Sequence, residues 1–166
     1  MNAVITQVLK PEQGMFELTL MNAEASSAQF DDVAVEALNR GIPPELVTRL
    51  KELWEQTKVI AGEIVAIGKI IVRQIIEFLK QNPKLTVGMA LGVAVAALVG
   101  GIPLIGPLLQ PLLTLITSIY GAGVGAAMGK GDYSGSPLSA AIALAEKFFE
   151  LLKNILNSVA SYLSTN

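Results

Sequence analysis

The side chains that could do chemistry in this chain are four charges set among aliphatic residues: Glu63, Lys69, Arg73 and Glu77, in the stretch from Val59 to Leu79. Charges at helical spacing in an apolar stretch serve two purposes. They line a polar lumen, or they pair across a contact between helices, and Arg73 and Glu77 have the i,i+4 spacing of an ion pair. Acid–base and nucleophilic chemistry find no such foothold. Histidine and cysteine are both absent, which removes the usual general base, the thiolate nucleophile and the commonest transition-metal ligands. The expectation is a protein that is not an enzyme, with no catalytic residue, cofactor or metal.

Three other patterns fail on their context. Gly121, Gly123 and Ala126 satisfy G-x-G-x-x-A, with Glu146 about 20 residues on, but no β–α alternation surrounds them. Gly129-Lys130 resembles the end of a phosphate loop, yet Val124 stands where its first glycine belongs and Gly131 replaces Ser or Thr. Asp31-Asp32 reads as acidic charge in the first turn of a helix, where the dipole favours it, rather than as a metal site.

Composition then sets the class. Of 166 residues, 52% are apolar and 16% charged, with a net charge of −2. Ordinary soluble domains carry about 25% charged residues. The charge balance offers no basic field for phosphates, so nucleic acid is excluded as a partner, and no small-molecule substrate is expected. The length is that of one domain. From Leu85 to Gly129 there is no charged side chain at all, with Lys84 and Lys130 at the two ends. That run is more than twice the roughly 20 residues a transmembrane helix needs. The fold class expected is an all-α membrane protein: a hydrophobic helical hairpin flanked by two long amphipathic helices, with a short β-hairpin at the N-terminus. The opening MNAVITQVLKPEQG has neither the basic region nor the apolar core of a secretory signal, which reads as synthesis and residence on the cytoplasmic side.

Four segments must position these groups. Residues 1–42 form an N-terminal cap. Within 3–21, Phe16, Leu18 and Leu20 alternate with Glu17 and Thr19, and Pro11-Glu12-Gln13-Gly14 is a turn signal, so the segment reads as a β-hairpin or as disordered chain. Ser26 and Gln29 fit a capping box for a short helix with the stripe Phe30, Val33, Ala34, Ala37, Leu38, which Gly41 ends. Residues 43–83 read as one helix from Pro43-Pro44-Glu45 to Asn82-Pro83, about 57 Å long at 1.5 Å per residue. Leu46, Leu50, Leu53, Thr57, Ile60, Ile64, Ile67 and Ile71 keep a heptad spacing along it, a seam that needs a second helix or a second copy to cover it. The stretch Val59–Leu79 does not span a bilayer: its twelve Val, Ile, Leu and Phe residues favour insertion by about 6 kcal/mol and its four charges oppose it by up to about 12. Gly62 and Gly68 in its interior suggest close approach by a neighbouring backbone.

Residues 84–130 form the hairpin, with a first arm Leu85–Gly100 and a second of roughly Leu104–Met128, joined around Gly100-Gly101-Ile102-Pro103. The first arm is about 24 Å as a helix, slightly short of a ~30 Å hydrocarbon core. Pro107 and Pro111 leave regular helix secure only from about Leu112, so Gly101, Pro103, Pro107, Gln110 and Pro111 make either an irregular tip or a kinked entry to the second arm. Small residues recur every fourth position: Gly88, Gly92, Ala96 and Gly100 in one arm, Gly121, Gly125 and Gly129 in the other. Such rows let helices approach closely, within the hairpin or between subunits.

Residues 131–166 return the chain to water through a polar turn and form a C-terminal helix capped by Ser136. Its heptad seam is Leu138, Ile142, Ala145, Phe149, Leu152, Leu156, Val159 and Leu163, opposite Glu146, Glu150, Lys153, Asn157 and Ser161. It lacks the basic face of a membrane-surface helix, so packing against the helix of residues 43–81 is expected. Lys80, Lys84 and Lys130 at the hairpin's ends put both termini in the cytoplasm, in a bacterial inner membrane.

These readings converge on a membrane-inserting homo-oligomer that forms a pore or channel, whose partners are the lipid bilayer and copies of itself. A non-conducting membrane scaffold explains the same charges as intersubunit ion pairs. A soluble helical bundle or shell component is the third reading.

Overall fold

The computed structural model describes residues 9–102, 105–120 and 137–160. Eight helices and one β-hairpin make up the described residues. Helix α1, Pro11–Ser26, replaces the β-hairpin expected over 3–21, of which residues 1–8 lie outside the described residues. The reason lies in which residues face inward. Gly14, Leu18 and Ala25 are buried at helical spacing, whereas Phe16 and Leu20 are exposed by 63% and 47%. The alternation of apolar residues was real but only Leu18 points to the core. Pro11 costs nothing in the first turn, and the Gln13 side chain accepts the Lys10 N–H at 3.1 Å.

Helix α2, Phe30–Asn39, starts after Gln29, with Asp31 and Asp32 exposed in its first turn. The expected capping box does not form, because Ser26 still belongs to α1 and its hydroxyl donates to the Ala23 carbonyl at 2.7 Å. The stop is where it was expected: Gly41 has φ of +91°, a conformation glycine takes without Cβ strain.

The long helix of residues 43–83 is also corrected. Helix α3 (Pro44–Trp54) and helix α4 (Ile67–Gln81) are separated by antiparallel strands β1 (Lys58–Ile60) and β2 (Glu63–Val65). The register pairs Lys58 with Val65 and Ile60 with Glu63. Ala61 and Gly62 make a two-residue turn with φ of 54° and 84°, the type I′ geometry that matches strand twist. The turn sends α3 back against α4, so close that a Cβ on Gly68 would overlap the Leu53 carbonyl oxygen. Both halves of the seam, Leu46, Leu50 and Leu53 with Ile67 and Ile71, then bury in one core.

Helix α5, Val87–Gly101, follows a cap in which Thr86 Oγ1 accepts the Met89 N–H at 3.3 Å. Helix α6, Gly106–Tyr120, is regular from Gly106 and keeps Pro111 inside it, so the irregular stretch at the tip is shorter than the prolines implied. Pro107 falls in the first turn and both prolines lie on the exposed side, where an orphaned carbonyl meets water. The C-terminal segment holds two helices rather than one: α7 (Pro137–Phe148) and α8 (Glu150–Ser158). Phe149 at the break is buried against the rings of Phe148 (4.9 Å) and Phe78 of α4 (5.6 Å). That aromatic cluster is where the C-terminal segment meets α4. Its main partners are others: α7 packs on α5, and α8 on α1.

Helix α5 sits in the middle, against α4, α6 and α7. No polar or charged side chain is buried among the described residues. None of their helices is long and apolar enough to cross a membrane.

Candidate functional site

The α5–α6 hairpin stands out by its lack of charge. Helix α5 reads VGMALGVAVAALVGG and carries no side chain that donates a hydrogen bond. A helix apolar all round belongs in a large core or in lipid. Here Leu91, Val93, Ala94, Val95 and Leu98 are buried by neighbouring helices. Charge separates α5 from its neighbour α4. The eight Ile, Val, Leu and Phe residues of α4 favour insertion by about 4 kcal/mol, and Lys69, Arg73, Glu77 and Lys80 oppose it by up to about 12. Helix α5 has no charged residue, though with 15 residues it too is not long and apolar enough to cross a membrane.

The glycine row of α5 divides by position. Gly88 is buried where a Cβ would strike the Tyr120 ring of α6, a close approach between the two arms. Gly92 is also buried and Ala96 half-buried, but Gly100 is exposed with open space around it. The second row, Gly121, Gly125 and Gly129, lies outside the described residues, as do Pro103 and the Gly123–Ala126 motif.

At the tip, α8 holds the hairpin. The Gly101 carbonyl accepts a hydrogen bond from Asn157 Nδ2 at 3.1 Å, and a Cβ on Gly101 would meet the Lys153 side chain. Pro107, Gln110 and Pro111 are exposed on the other side, where with Arg49, Thr114 and Ser118 they line an open groove of about 920 Å³. Gln110, Thr114 and Ser118 stand four residues apart and form an uncharged polar ridge along α6. The sequence reading singled out Gln110 and missed Thr114, Ser118 and Arg49. The missed signal was the four-residue spacing of hydrogen-bonding side chains inside a run without charge.

The four charges are not gathered around a lumen in one chain. Glu63 is exposed on β2, while Lys69, Arg73 and Glu77 form a stripe along α4. Lys69 Nζ lies 5.7 Å from the centre of the Trp54 ring, within cation–π range. The expected Arg73–Glu77 pair is not made among the described residues. Glu77 instead faces Lys80 at 3.8 Å and accepts from Gln81 Nε2 at 3.0 Å. Arg73 and Glu77 line a small groove of about 170 Å³ with Met21 and Glu24 of α1. No group of three metal-ligating side chains occurs among the described residues.

Comparison with known protein families, with curated proteins and with solved structures finds no match for this chain.

Proposed function

We propose that this chain is a membrane-inserting protein that assembles with copies of itself into a pore, and that it carries its hydrophobic hairpin sheathed by amphipathic helices until a bilayer is met. The observation that carries this reading is α5: an uncharged helix held between α4, α6 and α7. The sheath is the part with polar outer faces, and α8 meets the tip through the Asn157 hydrogen bond and side-chain packing from Lys153. In lipid the uncharged ridge of Gln110, Thr114 and Ser118 supplies polar groups without the ~3 kcal/mol that each charge would cost at depth. The reading places both termini on the cytoplasmic side.

One observation favours the alternative of a bundle that never enters a membrane. Helices α5 and α6 have 15 residues each, about 22 Å, which is shorter than the ~30 Å hydrocarbon core. Insertion therefore requires flanking residues of the uncharged run from Leu85 to Gly129 to join these helices. The test is incubation with vesicles of phosphatidylcholine and phosphatidylglycerol, followed by alkaline carbonate washing and measurement of entrapped dye. Membrane-retained protein with dye release is expected. Quantitative recovery in the wash, with no dye released, supports the bundle. Retention without release supports the non-conducting scaffold.

A further inference from the structure

We infer that residues 44–81 have a second stable state, a single continuous helix, and that the β1–β2 hairpin is the hinge between the two; the trigger, though not the hinge itself, rests on the membrane-inserting function proposed above. Three independent features point to it.

The first is the seam. Leu46, Leu50, Leu53, Thr57, Ile60, Ile64, Ile67 and Ile71 keep heptad spacing straight through the strands, with Thr57 the one polar member, although a β-hairpin has no use for that period. The second is Ile64. In the hairpin it is 70% exposed, the most exposed large aliphatic side chain of the described residues. In a continuous helix the same residue falls on the seam between Ile60 and Ile67. The third is the turn itself. Both central residues of a type I′ turn require positive φ, which suits Asn or Asp followed by Gly. Here the first is Ala61 at φ 54°, the best helix former at a position that strains a Cβ. The turn is thus a weak one, built from residues of which one prefers the helix.

The bent state is held by contacts that straightening would break together. The Asn22 side chain of α1 clasps the hairpin, accepting the Ala66 N–H at 2.8 Å and donating to the Ile64 carbonyl at 3.3 Å. The Gly68 N–H donates to the Gln56 carbonyl at 3.0 Å, and Lys69 sits over Trp54. Straightening also uncovers Leu46, Leu50, Leu53, Ile67 and Ile71, which are buried now. Water therefore favours the bent form. The straight form wins only where something else covers the seam, and copies of the same helix or an apolar interface bind that form alone. Loss of the Asn22 clasp removes the hydrogen bonds from α1 to the hairpin and leaves α1 its packing on α4 and on α8, which holds the hairpin tip.

The ends of the segment report the change. In the bent form α3 runs back along α4: Leu53 meets Gly68, and the end of α2 just before α3 lines one groove with Leu79 and Asn82. Glu45 and Lys80 are both exposed and lie towards that same end. In one helix they would stand about 52 Å apart at 1.5 Å per residue. Spin labels on Glu45→Cys and Lys80→Cys, in a chain with no other cysteine, measure this by pulsed electron paramagnetic resonance. Measurements in water, in dodecyl maltoside micelles and in vesicles of phosphatidylcholine and phosphatidylglycerol are compared. A short distance in water and a population near 50 Å in micelles or vesicles is expected. Two variants move it in opposite directions without touching the core: Ala61→Asn strengthens the turn and lowers the long-distance fraction, while Gly62→Ala strains the turn and raises it, each by about fivefold in the ratio of forms. A short distance in all three media for the wild type and for Gly62→Ala overturns the inference, whether or not dye is released. A long distance without dye release keeps the hinge and removes the pore.

Discussion

Helices α4 and α5 are 15 residues each and pack side by side, yet they depend on the rest of the molecule differently. Helix α4 buries one broad face, from Ile67 to Leu79, and keeps Lys69, Arg73, Glu77 and Lys80 towards the outside. It carries its own solubility. Helix α5 has no charged residue and relies on α4, α6 and α7 to keep it from water. The same burial is amphipathic packing in one helix and sheathing in the other. Only the sheathed helix carries no charge that lipid would oppose.

The widest gap between the two helices comes from charge. Val95→Lys places an ammonium at a fully buried site of α5 with no partner, which costs about 4 kcal/mol or more and abolishes folding in a urea titration. Arg73→Gln on α4 changes the urea midpoint by less than about 0.5 kcal/mol equivalent. Comparable losses for both variants would erase the distinction.

Truncation sharpens it next. Leu98→Ala in α5 removes a side chain with no exposed surface and costs about 2–5 kcal/mol, whereas Leu20→Ala on the exposed side of α1 costs less than about 1 kcal/mol. The pair also tests the corrected N-terminus, since a strand reading would bury Leu20 with Leu18.

That correction indicates what was legible. The Gly41 stop, the turn between the two hydrophobic arms and the inward side of Ala145, Phe149, Leu152, Leu156 and Val159 followed from spacing and turn chemistry. Helix α1 did not, because two of its three buried residues are Gly14 and Ala25, too small to mark a period, while the conspicuous Phe16 and Leu20 face outward. The β1–β2 hairpin was hidden by the heptad spacing that runs through it, though β-branched residues on both sides of Ala61-Gly62 carried a turn signal. Of the candidate site, the hairpin and its Gln110 were legible. Of the four charges, Lys69, Arg73 and Glu77 share one stripe of α4 while Glu63 falls on β2, and Glu77 reaches the next turn to Lys80 rather than back to Arg73.

Glycine substitutions give smaller, oppositely signed effects. Gly68→Ala forces a methyl against the Leu53 carbonyl and costs about 1–3 kcal/mol. Gly100→Ala, in open space within α5, stabilises by up to about 1 kcal/mol through helix propensity. Thermal unfolding of the two variants should bracket the wild type. Smallest of all in the folded chain is the double change Glu63→Gln and Glu77→Gln, at exposed positions, with a stability effect under about 0.5 kcal/mol. In the proposed pore its expected effect is altered ion selectivity or leakage at unchanged oligomer size. A change in oligomer size with no conduction would favour the scaffold.

The central claim, that α5 exchanges its helical sheath for lipid, is tested most directly at Ala96, a half-buried position of that helix. A fluorophore attached at Ala96→Cys is read in vesicles whose lipids carry a quencher either at the headgroup or near the acyl-chain ends. The account predicts strong quenching by the deep quencher and weak quenching by the shallow one. Vesicle-bound protein whose fluorescence neither quencher reduces would contradict it, because α5 would then still be inside its sheath.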